Sequence, residues 1–166
     1  MAGLVHLGIG LSSKRIVPTE PLWCLIVSTY LLDILFFIFF FLGIEEPNKV
    51  YWSHSLLMAV IWSVLSIIIT GVLSRNKRIS LLIGLLVFSH WLVDFITWPT
   101  GPPLFPIERS PEINLGLMNF LYSSNIGLII GILIIEFGSL IVRIGIYHLT
   151  KTQLKKEIIL QRSLSK

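Results

Sequence analysis

Long apolar stretches separated by short polar segments dominate the chain. A helix needs about 20 mostly apolar residues to cross the hydrocarbon layer of a membrane, and four stretches are long enough. They cover residues 21–43, 54–73, 80–98 and 122–148. No stretch alternates polar and apolar positions as the strands of a membrane barrel do. The pattern therefore predicts an all-α, polytopic membrane bundle of four transmembrane helices, forming a single domain over residues 1–166.

A fifth apolar stretch, Met1–Leu11, is too short to span a membrane. The basic pair Lys14-Arg15 follows this stretch, whereas the basic region of a signal peptide precedes its apolar run. We therefore expect a short N-terminal helix, interfacial or half-inserted, that carries His6.

Composition supports a membrane protein. Hydrophobic residues make up 54% of the chain and charged residues only 13%, about half the usual charged share of a soluble domain. This balance excludes an ordinary soluble enzyme, a disordered segment and a nucleic-acid binder with a broad basic face. The single cysteine, Cys24, excludes an internal disulfide framework and a cysteine-rich zinc site.

The distribution of Lys and Arg predicts the orientation. If there are four spans, ten of these residues fall on one side of the membrane, against Lys49 and Arg109 on the other. The positive-inside rule then places both termini in the cytoplasm, with a basic tail at 149–166 against the membrane surface. Residues 99–121 form the opposite, external segment. Its five prolines predict an ordered cover and not a long helix.

Two kinds of partner follow from these features. The first is the lipid bilayer itself. The second is a packing surface of small residues on the last span, either within the chain or between two copies in a homo-oligomer. This glycine stripe consists of Gly127, Gly131, Gly138 and Gly145.

Ionisable side chains within the spans are the candidate chemistry, because each is costly to place in a membrane and generally faces a partner. Asp33, His90 and Asp94 are such groups, and His54 lies at the outer edge of its span, so all four belong to the outer half of the bundle. His90 and Asp94 are four residues apart and share one helix face.

An imidazole and a carboxylate on one face can bind one divalent metal ion together with ligands from other helices. Such nitrogen and oxygen donors suit Zn²⁺, and Mn²⁺ or Fe²⁺ are also accepted. The spacing equally allows a buried hydrogen bond between the two side chains. The surroundings of His54 also allow an interfacial histidine, with Ser53 capping the following helix.

Four short motifs and a glycine- and proline-rich segment occur in order over roughly residues 3–106. They read Val5-His6-Leu7, Leu31-Leu32-Asp33-Ile34, Trp52-Ser53-His54-Ser55-Leu56-Leu57, Ser89-His90-Trp91-Leu92-Val93-Asp94-Phe95-Ile96-Thr97 and Gly101-Pro102-Pro103-Leu104-Phe105-Pro106. In this order they resemble the marks of the LexA-regulated inner-membrane metal-dependent hydrolases of bacteria and archaea. The resemblance implies a metal site with His6, Asp33, His54, His90 and Asp94 as ligands, and a hydrolase activity.

The chain departs from the family pattern at two places. Leu35 and Phe36 replace a second aspartate and a histidine, and Lys49 and Val50 stand in the region of a His-Arg pair. Two functions therefore stay open. In the first, a metal-dependent hydrolase acts on a lipid-like or extracytoplasmic substrate, with Asp33 or Asp94 as general base. In the second, a non-catalytic, permease-like or scaffold protein uses the same residues as an ion pathway or a structural site.

Overall fold

A computed structural model describes residues 3–46, 51–98 and 101–115, and towards the end of the chain residues 137–138, 140–141, 144–145, 148 and 151–152. Five helices have defined bounds in this part of the chain, and it contains no strand. They are α1 (Gly3–Ser13), α2 (Leu22–Thr29), α3 (Leu31–Phe41), α4 (Leu56–Ser74) and α5 (Lys77–Thr97). The predicted helical class is confirmed for these residues.

Two of the helices, α4 and α5, are each long and apolar enough to cross a membrane. Helices α2 and α3 form a third candidate span only if they are counted together, because their axes are bent by 59° at Tyr30. The prediction of one continuous helix over residues 21–43 is therefore wrong. The predicted fourth span, 122–148, lies mostly outside the described residues, as do Gly127 and Gly131.

The break between α2 and α3 occurs without proline or glycine. Ser28 Oγ donates to the Cys24 carbonyl at 2.7 Å, and Thr29 Oγ1 donates to the Ile26 carbonyl at 2.8 Å. Hydroxyls that bond back to their own helix in this way compete with the backbone and bend helices. Tyr30 then leaves the helical region, with φ −104° and ψ 6°. The bend leaves the Thr29 carbonyl available to a partner outside its own helix.

Helices α4 and α5 form an antiparallel hairpin. The chain reverses at Arg75, which has φ 53°, and Asn76 then caps α5 by accepting the backbone N–H groups of Arg78 and Ile79. The helices approach closely at Gly84, where an added Cβ would lie 2.3 Å from Ile67 Cγ1. Only glycine permits this contact distance.

Two apolar clusters join the remaining helices to this hairpin. Leu32, Ala59, Val87 and Trp91 bring α3, α4 and α5 together. A second cluster, which contains Leu25 and Leu86, packs α2 against α5. Helix α1 lies mainly against α2 and also contacts α5. The carboxyl-terminal half of α5 is therefore surrounded by helices, and this is where the polar residues meet.

The proline-rich segment is ordered over residues 101–115 and contacts the start of α4. The backbone N–H groups of Leu56 and Leu57 donate to the carbonyls of Pro103 and Leu104, at 2.9 and 3.1 Å. These carbonyls accept hydrogen bonds from N–H groups in the first turn of α4, a role that a capping side chain has in many other helices. The expectation that Ser53 caps α4 is wrong, because the cap residue is Ser55 and it makes no side-chain capping bond.

Two members of the glycine stripe are among the described residues. A Cβ added at Gly138 or Gly145 meets no described atom within 4 Å. Close packing within the chain is therefore not seen at these two positions, and contact between two copies stays a prediction.

Candidate metal centre

The five polar residues singled out in the sequence lie together in one buried cluster. Helix α1 contributes His6, α3 contributes Asp33, the segment before α4 contributes His54, and α5 contributes His90 and Asp94. The exposed fraction is 1% for His6, 5% for His54, 1% for His90 and 4% for Asp94. The Asp33 side chain is 25% exposed. Asp33 is therefore the most accessible member of the cluster.

The imidazole Nε2 atoms of the cluster all point towards carboxylate oxygens. His54 Nε2 lies 3.4 Å from Asp33 Oδ1 and 3.8 Å from Asp94 Oδ2. His90 Nε2 lies 3.5 Å from each of the same two oxygens. His6 Nε2 lies 3.8 Å from the other oxygen of Asp94, Oδ1. His54 Nε2 and His90 Nε2 thus face the same two oxygens, one from each aspartate, and His6 Nε2 faces the second oxygen of Asp94.

The bond made by the other ring nitrogen of His90 determines its tautomer. His90 Nδ1 lies 2.7 Å from the Thr29 carbonyl oxygen, and a carbonyl only accepts hydrogen bonds. The proton of a neutral His90 is therefore on Nδ1, and Nε2 carries a lone pair. The acceptor is the carbonyl at the end of α2, so the break at Tyr30 is part of the site.

His54 is oriented by a second set of partners. Its Nδ1 lies 2.7 Å from Ser53 Oγ, which donates to Glu45 Oε1 at 2.7 Å, and the Ser53 N–H donates to Glu45 Oε2 at 3.1 Å. Because the hydroxyl proton is given to Glu45, His54 Nδ1 is the donor and its Nε2 is again unprotonated. Burial raises the pKa of the Glu45 carboxyl, and the hydrogen bonds from Ser53 act in the opposite direction.

His6 completes the cluster by stacking on His90. The two rings lie 3.7 Å apart between centroids and 6° from parallel. His6 Nδ1 is buried and has no hydrogen-bond partner among the described residues. Its tautomer is therefore not fixed as it is for His54 and His90.

The distances between the donor atoms are longer than those of direct hydrogen bonds and are compatible with a shared metal ion. The five N···O distances run from 3.4 to 3.8 Å, whereas hydrogen bonds of this kind measure about 2.7–3.2 Å. Ligands held about 2.1 Å from a tetrahedral ion lie about 3.4 Å from one another. Two groups of three residues are compact enough to hold an ion, His6 with His90 and Asp94, and Asp33 with His54 and His90. His90 belongs to both groups.

Aromatic rings form part of the wall around these donors. Phe36 packs edge-on against His54 with centroids 5.9 Å apart, and Trp98 does so at 6.4 Å. Tyr30 contacts His6 in the same manner at 5.9 Å. Phe36 stands where the hydrolase pattern has a histidine, so this departure adds an apolar surface beside the cluster.

Sequence reasoning missed the two residues behind His54. Glu45 looks like a solvated loop charge in the sequence, and Ser53 looks like a helix cap. Both are fully buried in the structure and bonded to each other. The signal in the sequence is that Glu45 and Ser53 stand at the two ends of the short connection between α3 and α4, where a carboxylate and a hydroxyl can form a hydrogen bond.

The comparisons with known proteins identify a family. The model of the YdjM inner membrane protein family matches residues 1–159. No curated protein and no solved structure matches the chain. The family description agrees with the inner-membrane part of the resemblance and with the apolar helices. It names neither a metal nor a reaction, so the hydrolase part has no support from it. The match extends over nearly the whole sequence, and the chain therefore belongs to the YdjM inner membrane protein family.

Proposed function

We propose that this protein is a metal-dependent hydrolase of the inner membrane. One divalent ion is held by Asp33, His54, His90 and Asp94, with His6 as a fifth ligand and one further coordination position left for water. The observation that carries the proposal is the orientation of His54 and His90. Each has its Nδ1 committed to another partner, and in its neutral form each directs an Nε2 lone pair at carboxylate oxygens 3.4–3.8 Å away. A divalent cation between the imidazole and carboxylate lone pairs would be bound by both.

The charges of the cluster support a divalent ion. Asp33 and Asp94 contribute two negative charges, and neutral imidazoles contribute none. A buried charge is stable only when it is paired or coordinates a metal. An ion of charge +2 gives a neutral centre with both aspartates ionised. The donors are nitrogen and oxygen only, so Zn²⁺ is the expected ion, and Mn²⁺ or Fe²⁺ also fit.

The two aspartates have different surroundings and therefore different roles in the proposed reaction. A bound ion would supply Lewis acidity and make water nucleophilic near neutral pH. Asp94 is 4% exposed and faces three imidazoles, so it holds the centre together. Asp33 lies on the accessible side, where it can orient a water molecule and accept its proton. Phe36 and Trp98 beside the cluster favour a lipid-like substrate.

The proposal includes the arrangement in the membrane. The bent pair α2–α3 counts as one span, α4 and α5 are two more, and residues 122–148 are the fourth. Both termini are then cytoplasmic, residues 99–121 are external, and the metal centre lies in the outer half of the bundle. The substrate therefore reaches the centre from the outer leaflet or from the extracytoplasmic side.

A structural centre is the second candidate. Its supporting observation is that the five residues come from four separate segments of the chain, so that one ion would tie α1, α3, α5 and the start of α4 together. The ion-pathway alternative has less support among the described residues. The hydroxyls of Ser28, Ser63 and Ser66 each donate to a carbonyl of their own helix, and none of them donates to another helix.

Cobalt substitution distinguishes a catalytic from a structural centre. A catalytic site keeps one coordination position open, whereas a structural site is closed by protein ligands. Purified protein loaded with Co²⁺ should show a visible absorption band that changes when azide is added. A Co²⁺ band that azide leaves unchanged would support the structural centre and contradict the hydrolase. Failure to bind Co²⁺ or Zn²⁺ at all would contradict both.

A further inference from the structure

A buried carboxylate lies behind His54, on the side away from the metal centre. Glu45 follows the end of α3 and is only 1% exposed. Its Oε2 accepts the backbone N–H of Ser53 and its Oε1 accepts the Ser53 hydroxyl. The ionised carboxylate thus offers two acceptors to two donors. Burying a carboxylate is costly even when it is paired, so its position directly behind a candidate ligand calls for a role.

The positions of the protons along the contacts from Glu45 through Ser53 to His54 indicate what Glu45 does. The Ser53 hydroxyl has one proton and donates it to Glu45. Its oxygen then has only lone pairs for His54, so His54 Nδ1 must be the donor in the 2.7 Å contact between them. The proton of neutral His54 is held on Nδ1, and Nε2 is left free to bind metal.

We propose that Glu45 and Ser53 are positioning residues that hold His54 in the tautomer and ring orientation needed for metal binding. The inference rests on the proposed function, since it requires His54 to be a ligand. Metal-bound histidines generally donate their second N–H to a carboxylate or carbonyl, which fixes the ring and makes the ligand more basic. Here a serine hydroxyl connects the carboxylate to the ring.

The alternative is that Glu45 and Ser53 only close the connection between α3 and α4. Glu45→Gln separates the two possibilities. The glutamine oxygen is needed by the Ser53 backbone N–H, so the amide NH₂ faces Ser53 Oγ. The hydroxyl proton loses its acceptor on residue 45 and gains one by donating to His54 Nδ1, which favours the tautomer with the histidine proton on Nε2, where it blocks the ligand position. If Glu45 only fills space, Glu45→Gln should leave metal binding unchanged, because glutamine has almost the same volume.

The experiment is a titration of chelator-treated, detergent-purified protein with Zn²⁺ and Co²⁺. Glu45→Gln and Ser53→Ala should each weaken the affinity about 10- to 100-fold and shift the Co²⁺ band, without changing the stoichiometry. Ser53→Thr should restore the wild-type affinity, because it keeps the hydroxyl. Glu46→Gln, at the exposed neighbouring carboxylate, is the matched control and should bind as the wild type does.

The outcomes separate this inference from the proposed function. The positioning role alone is overturned if the wild type binds metal and both Glu45→Gln and Ser53→Ala keep the wild-type affinity and Co²⁺ band. A lower melting temperature of the metal-free variants with unchanged metal affinity also overturns it, because it indicates a structural role. Wild-type protein that binds neither ion overturns the metal centre and this inference together. If Glu45→Gln does not fold, Ser53→Ala and Ser53→Thr still decide the question.

Discussion

At the scale of single residues, the centre depends on where the protons of two imidazoles lie. Thr29 binds the Nδ1–H of His90, and Ser53 binds that of His54. In the proposed centre His90 is the most important ligand, since it belongs to both compact groups of donors. His6 Nε2 faces a single carboxylate oxygen, Asp94 Oδ1, and four other candidate ligands remain without it. The members of the cluster should therefore respond differently to mutation.

We expect His90→Ala and Asp94→Asn each to abolish stoichiometric metal binding, and the double variant to be no worse than either one. His6→Ala should keep the stoichiometry with weaker affinity. The measurement is elemental analysis of purified protein. His148→Ala, a histidine outside the cluster, is the control and should retain the metal. Full metal content in His90→Ala would remove that residue from the ligand set.

Part of this cluster could be predicted from residue spacing. His90 and Asp94 are one turn apart on one helix, and the structure brings them within 3.5 Å. The contributions of Glu45 and Ser53 could not be predicted, because they depend on a contact across the connection between two helices. The Thr29 carbonyl is a similar case, since its partner His90 is 61 residues away in the sequence. Local patterns carry no information about such contacts.

At the scale of the elements, the break between α2 and α3 and the contact between α4 and α5 position the donors. The sequence does not predict the break, because serine and threonine also occur within unbroken helices. The contact between the Thr29 carbonyl and His90 shows what the break contributes to the site. The ends of α4 and α5 were predicted to within a few residues, because long apolar stretches and flanking charges mark them clearly.

The contact at Gly84 gives a prediction for helix packing. An added methyl group would meet Ile67 Cγ1 at 2.3 Å and the Ser63 carbonyl oxygen at 3.0 Å. Gly84→Ala should lower the free energy of unfolding by about 1–3 kcal/mol, as overpacking generally does. Gly71→Ala is the control, since its nearest neighbour would be Ser80 Oγ at an ordinary 3.5 Å. SDS-induced unfolding measures both variants, and equal stability of the two would contradict the close approach.

At the scale of the whole molecule, the distribution of charge predicts the orientation of the chain in the membrane. Ten Lys and Arg residues lie on the predicted cytoplasmic side, and the same arrangement predicts that the His/Asp cluster lies in the outer half of the bundle. The structure supports two or three spans among the described residues. The fourth span and the orientation are predictions of the sequence pattern.

Reporter fusions test this arrangement. A reporter fused after Lys166 should be active in the cytoplasm, and one inserted at Pro106, in the predicted external segment, should be active on the opposite side. The expectation follows from the positive-inside rule with four spans. If both reporters were active on the same side, the predicted single membrane crossing between Pro106 and Lys166 would be wrong.

The central claim is that two aspartates and two oriented histidines share a divalent ion. The most direct measurement is the metal content of the wild-type protein, purified in detergent without chelators from cells grown in metal-replete medium. Inductively coupled plasma mass spectrometry should find a single divalent ion per chain, with zinc as the expected element. Wild-type protein that is folded and contains no divalent ion would contradict the account.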